Sequence, residues 1–134
     1  MTARGKAVYD TTFLAALYYS KDQEERSRIG RELAGRHSKY ISAVTIYEVY
    51  KLSIQADGKE VADLRVSLLE KDFRVVSVGS KISREAALIW HKHRVPMADA
   101  MIAATAKTLS AECVTNDEHL TSMKELKTRW VQPT

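Results

Sequence analysis

Short β-branched and aromatic runs alternate with longer stretches of helical periodicity along the whole chain, and that alternation leaves few folds open. AVY near the N-terminus, KYIS at 39–42, FRVVSV at 73–78 and ECVTN at 112–116 read as strands. Between the first two lie the apolar helix TTFLAALYY and the more polar QEERSRIGRELAGR, which ends near Gly35. A third helix runs from Ala43 to about Gln55 and breaks at Asp57-Gly58. KEVADLRVSLLEK then resumes, with Val61, Leu64, Leu68 and Leu69 at helical spacing. Two more helices are predicted over 80–93 and 98–109, a short one in HLTSMKEL, and TRWVQ is a candidate fifth strand at a sheet edge. Strands separated by whole helices are joined by crossovers rather than hairpins, which makes the sheet mainly parallel with helices on both faces. The expectation is a three-layer α/β/α fold, class α/β, with a mainly parallel central sheet of four to five strands. With 134 residues, it forms one domain over 1–134.

Four acids stand where a strand or a proline gives way to a helix. Asp10 follows AVY; Glu48 lies in the first turns of the helix after KYIS; Asp99 comes three residues after Pro96; Asp117 closes CVTND. In a parallel sheet such positions gather along the carboxyl edge of the strands, where ligands bind. Carboxylates brought together there repel one another unless a cation joins them, so the leading reading is a divalent-metal site. Each acid also has a plain structural use. A carboxylate near a helix N-terminus caps free N–H groups and interacts with the helix dipole, worth about 0.3–1 kcal/mol. Thr45-x-x-Glu48 and Thr115-x-x-Glu118 both match capping boxes. Two contexts favour the metal. Glu48 is embedded among Val44, Ile46, Tyr47, Val49, Tyr50 and Leu52, and Asp99 among Met97, Ala98, Ala100, Met101, Ile102 and Ala103. Burying a carboxylate on such helices is costly unless it is paired or bound to metal. Oxygen donors suit Mg2+ or Mn2+. Asp10 and Asp99 are the choices for direct ligation, Asp117 binds directly or through a water, and Glu48 holds a second metal or orients the attacking water.

The charge balance agrees. Lys and Arg number 21 against 17 Asp and Glu, a net +4. With acids gathered in one cleft, the remaining surface is more basic than the net charge, which suits a polyanion approaching bound metal. Basic clusters lie at 21–39, 81–94 and 124–129, although solvated helix faces carry Lys and Arg for ordinary reasons. No apolar run approaches the roughly 20 residues that span a bilayer, and no secretory pattern is present. The single Cys113 reads as a buried reduced thiol, and the expected location is cytoplasmic. Walker A, G-x-G-x-x-G and G-x-S-x-G motifs are absent. His91-x-His93 reads as a solvated pair, and His37 and His119 have no partners in sequence. Trp90, Trp130 and the tyrosines read as core or interface anchors ahead of base-stacking platforms. A receiver-like phosphoacceptor domain would need an acidic pair after the first strand and an Asp after the third; FRVVSVGSK has none.

Taken in order, VYDTTFL, ISAVTIYEV, VPMADAMIAATA and CVTND carry a resemblance over essentially the whole chain. The chain resembles the PIN-domain family and, within it, the VapC-type toxin ribonucleases of prokaryotic toxin–antitoxin pairs. On that resemblance Asp10, Glu48, Asp99 and Asp117 take the family's acidic positions. Thr11 and Thr115 match its small hydroxyl positions, with Asn116 beside them. At Thr11-Thr12 many relatives carry Ser or Asn, a swap that keeps a polar group. The resemblance implies an Mg2+- or Mn2+-dependent endoribonuclease that uses in-line water attack and leaves a 5′-phosphate and a 3′-hydroxyl. It also implies a homodimer, and an antitoxin protein seated near the helices of FLAALYY and IYEVYKLSI. The alternative is a non-catalytic PIN-like adaptor that binds RNA or protein; retention of all four acids speaks against it.

Overall fold

A computed structural model describes residues 5–132 of the chain. The elements run β1 (Lys6–Tyr9), α1 (Thr11–Tyr19), α2 (Gln23–Ala34), β2 (Ser38–Ser42), α3 (Ala43–Asp57), α4 (Lys59–Asp72) and β3 (Arg74–Val76). They continue with α5 (Ser80–His93), α6 (Met97–Leu109), β4 (Glu112–Val114), α7 (Glu118–Thr121) and β5 (Thr128–Arg129). Each expected strand and helix is present with bounds shifted by a few residues at most. The sheet has five strands in the order β3-β2-β1-β4-β5, and every pair is parallel. TRWVQ supplies β5, a two-residue parallel edge strand.

Local chemistry sets the helix ends. Asp10, Asp22, Ser42 and Asp117 cap α1, α2, α3 and α7 by accepting the backbone N–H two residues on. Neither capping box that the sequence spacing allows is formed. Ser42 takes the cap of α3, which leaves Glu48 in the second turn, and Asp117 takes the cap of α7 from Thr115. Gly58, at φ +90°, ends α3 and starts α4, a backbone geometry that favours glycine.

Alternation along β1 divides the core. Val8 joins Ile82, Ile89, Ile102, Ala103, Cys113 and Leu120 on one face. Ala7 and Tyr9 join Phe13, Leu14, Ile29, Ile41, Phe73 and Val114 on the other. Cys113 is fully buried, and burial pushes its thiol pKa up. The middle of α6 is buried from Ile102 to Ala106, its alanines bringing the helix close to β1, β2 and β4. Leu64 and Leu68 of α4 are exposed, although their spacing reads as core; Ala62 and Leu69 form the buried stripe.

Arg129, in the basic cluster at 124–129, is a sheet-bound ion-pair residue. It makes two 2.9 Å hydrogen bonds to Glu32 of α2 and one of 2.9 Å to Glu112. Tyr9 donates its hydroxyl to the same Glu32, and His37 lies 3.1 Å from that carboxylate. This network ties α2 and β5 to β1. Among the described residues, no helix is long and apolar enough to cross a membrane.

From β1 the chain steps outward to β2 and β3, then crosses back and places β4 and β5 on the other side of β1. The strand order therefore reverses between β1 and β4, and a crevice opens at their carboxyl ends.

Candidate active site

Asp10 leaves β1 directly into that crevice. Its backbone N–H donates to Val114 O at 3.0 Å, which locks the strand ends together. Its carboxylate is 2% exposed and accepts Thr12 Oγ1 at 2.8 Å, Thr115 Oγ1 at 2.8 Å and Thr12 N at 3.4 Å. Burial raises the Asp10 pKa, while the threonine hydrogen bonds work against that rise. The Thr115 hydroxyl also accepts the Asp117 N–H at 3.0 Å, so one buried side chain sets two acids at once. Asn116, exposed, donates its backbone N–H to Thr12 Oγ1 at 3.4 Å. Thr11 donates its hydroxyl to Glu48, reaching across from α1 to α3.

Asp99 sits in the first turn of α6 and is 9% exposed. Its pKa is pushed up to about 7, first by burial and then by the charges of Asp117, Asp10 and Glu48; His119 pulls the other way. Three of the four acids named from the sequence thus act electrostatically on the fourth, a buried carboxyl. Asp117 caps α7, accepting the His119 backbone N–H at 2.9 Å, and lies 3.0 Å from His119 Nδ1. That same Nδ1 is 3.3 Å from Asp99 Oδ2.

Among the described residues, Asp99, Asp117 and His119 form the group of three whose ligand atoms lie within 4.8 Å of one another. Asp10 and Glu48 stand around that group, each engaged by threonine hydroxyls. Carboxylates with one imidazole suit a divalent cation, and the rise at Asp99 reflects its burial first and the neighbouring negative charge second. His119 has no partner in sequence but has two in space. Its spacing, two residues after a capping Asp, is the local signal that could have found it. His37 is likewise paired, with Tyr9 and Glu32, and His93 meets Glu125 at 2.7 Å.

A cleft of about 400 Å³ lined by His93, Val95, Asp117, Glu118, His119 and Ser122 adjoins the acids. A larger cavity of about 770 Å³ borders Lys6, Lys107, Glu112 and Lys127. Lys6 and Glu112 begin β1 and β4, so that cavity opens at the amino edge, and it is the smaller cleft that adjoins the carboxylates.

Thr115→Val tests the positioning. It keeps the shape but removes the donor to buried Asp10 and the acceptor for the Asp117 N–H. A loss of about 1–3 kcal/mol in urea unfolding is expected, with Thr115→Ser close to wild type. A valine variant as stable as wild type would mean that this bridge does not hold the strand ends.

The family model described as PIN domain matches residues 7–126. Among solved structures, the fold is similar to VapBC2 from Rickettsia felis bound to a DNA fragment from its promoter. That match has a TM-score of 0.77 and 12% identity, covering 95% of this chain and 99% of that one. DNA-bound VapBC from Salmonella typhimurium gives 0.75 and 18% identity over 93% and 97% of the two chains. Mycobacterium tuberculosis VapC20, a sarcin-ricin loop cleaving toxin, gives 0.73 and 18% over 87% and 93%. At such identities the likeness is one of fold. No curated protein matches the chain in sequence.

Proposed function

The chain belongs to the PIN domain family, and from that premise we propose that it is a metal-dependent endoribonuclease, the toxin of a VapBC-type toxin–antitoxin pair. The observation that carries the reading is geometric: Asp99, Asp117 and His119 bring ligand atoms within 4.8 Å of one another at the crevice between β1 and β4, and Thr115 joins buried Asp10 to Asp117 beside them. Asp10, Glu48, Asp99 and Asp117 are the catalytic acids of this reading, and Asp10, Asp99 and Asp117 hold the metal. When bound, Mg2+ or Mn2+ polarises the scissile phosphate and lowers the pKa of a water for hydrolysis of the phosphodiester bond. Thr115 holds Asp10 and Asp117 in place, Thr11 orients Glu48 toward the attacking water, and Asn116 steadies Thr12 through its backbone. Chemistry of this kind needs no ribose 2′-hydroxyl, so preference for RNA comes from shape and contacts. Exposed Lys81, Arg84, Lys92 and Arg94 on and after α5 supply positive surface on the helix that leads into α6 and Asp99.

The apolar surface supports protein partners. Tyr47 is 62% exposed and Ile54 is also exposed on α3, and Leu64 and Leu68 are exposed on α4. A groove of about 420 Å³ lies between α1, α2 and α4, lined by Leu17, Tyr18, Leu33, Leu68, Leu69 and Phe73. We assign these surfaces to a homodimer contact and an antitoxin segment. The reading also places the protein in the cytoplasm as one domain over 1–134, of which residues 1–4 and 133–134 lie outside those described.

Incubating a pool of tRNA and rRNA fragments with the protein tests the activity. Discrete cuts are expected with Mn2+ or Mg2+, lost on chelation and restored by added metal. A folded, metal-loaded, partner-free protein that binds this RNA and never cuts it would instead be the non-catalytic adaptor.

A further inference from the structure

Neither sequence periodicity nor the family's acidic positions single out His119, yet its ring nitrogen lies within 3.3 Å of two of the carboxylates. We infer that His119 is a direct ligand of the bound cation through Nδ1, giving the site a mixed oxygen–nitrogen donor set; the inference rests on the metal-dependent reading above. Three observations carry it. Nδ1 stands 3.0 Å from Asp117 Oδ1 and 3.3 Å from Asp99 Oδ2. Neighbouring ligands of an octahedral ion with bonds of about 2.1 Å are separated by roughly 3.0 Å, so both edges already have ligand spacing. The ring is also positioned by its own backbone: the His119 N–H bonds the capping Asp117 carboxylate, and the adjacent Leu120 is fully buried. Finally, the side chain is 54% exposed and lines the cleft beside the acids, so an arriving cation meets it without any rearrangement of the core.

The donor type has a consequence. Mg2+ prefers oxygen ligands and keeps several waters, whereas imidazole nitrogen adds affinity for Mn2+ and more strongly for Co2+. His119 therefore tilts this site away from Mg2+ and toward the later divalent metals.

Titration calorimetry of the full chain with Mg2+, Mn2+ and Co2+, together with the visible spectrum of the Co2+ form, tests the assignment without any substrate. His119→Ala is expected to weaken Co2+ and Mn2+ about tenfold or more, to leave Mg2+ within about twofold, and to shift the Co2+ bands. His119→Asn can still donate a hydrogen bond to the carboxylates but offers no ring nitrogen. It should behave like His119→Ala in metal preference. Wild-type affinities and an unchanged Co2+ spectrum in both variants would overturn the inference and leave His119 as a hydrogen-bond donor only; the metal-dependent reading would stand. A folded wild type that binds none of the three ions would overturn both.

Discussion

Asp99→Asn is expected to lower RNA cleavage at least about a thousandfold, some 4 kcal/mol of transition-state stabilisation, while making the metal-free protein more stable at pH 8. Both effects follow from the same buried carboxyl. Asparagine keeps the shape but loses the charge that would hold a cation, so the reacting water and phosphate lose their anchor. The stability effect follows from proton linkage. The Asp99 pKa is about 7 in the fold, against an ordinary 3.8. Between those values the native state holds a proton that the unfolded chain has lost, so stability falls as pH rises through the window. Above pH 7 the wild type bears the full penalty of an ionised carboxylate among its neighbours, and the Asn variant does not. A rise of roughly 5 °C in melting temperature is expected for the variant at pH 8 without metal, closing toward pH 4. Saturating Mn2+ should reverse the order, since it stabilises only the form that binds it. Cleavage within tenfold of wild type would remove Asp99 from the chemistry. Equal melting at pH 8 would mean that burial and the neighbouring acids do not penalise an ionised Asp99.

The second large effect lies away from the acids. Glu32→Ala is expected to destabilise the protein by about 3–5 kcal/mol, because it leaves the Arg129 guanidinium partly buried and short of a partner. Burial pushes the Glu32 carboxyl up, but hydrogen bonds from Arg129 and Tyr9 and the charges of Arg129 and His37 outweigh it, and the net shift is downward. A carboxylate held below its ordinary value stabilises the fold above that value and loses the contribution as pH falls through its folded pKa. Urea unfolding at pH 7 should show the full loss, and the gap from wild type should narrow in acid. Replacing the pair together, Glu32→Leu with Arg129→Met, should recover part of the stability, since neither member of that pair is then left without the other, although Glu112 loses its 2.9 Å hydrogen bond from Arg129. A single-variant loss below about 1 kcal/mol would mean that the network is solvated in solution. The effect also reaches the candidate active site, because the Arg129 carbonyl accepts the Thr115 N–H at 2.9 Å.

Much of the architecture was legible because it is locally encoded. TTFLAALYY and the helix over 80–93 are found within the bounds their periodicity and flanking residues indicate. The acids could be picked out because each follows a strand or a proline, and a parallel sheet brings such positions to one edge. The local alternatives weighed against the metal reading do not form, and for a consistent reason. Thr45-Glu48 and Thr115-Glu118 have the spacing of capping boxes, yet Ser42 and Asp117 take those caps. The released side chains find distant partners: Glu48 meets Thr11, 37 residues away, and Thr115 meets Asp10, 105 away. Arg129 reads as a surface cation until Glu32, 97 residues distant, is folded against it.

By itself, the amino-acid order determined the elements, their succession, the parallel sheet and which acids stand at its carboxyl edge. Turn chemistry, helical period and strand period act within a few residues and do not depend on what packs alongside. The tertiary structure alone decided the strand order β3-β2-β1-β4-β5, the burial and neighbouring charge that lift Asp99, the pairing of Arg129 and the approach of His119 to two acids. Those features are set by which distant surfaces exclude water together, and a partner 97 or 105 residues away leaves no trace in the local pattern.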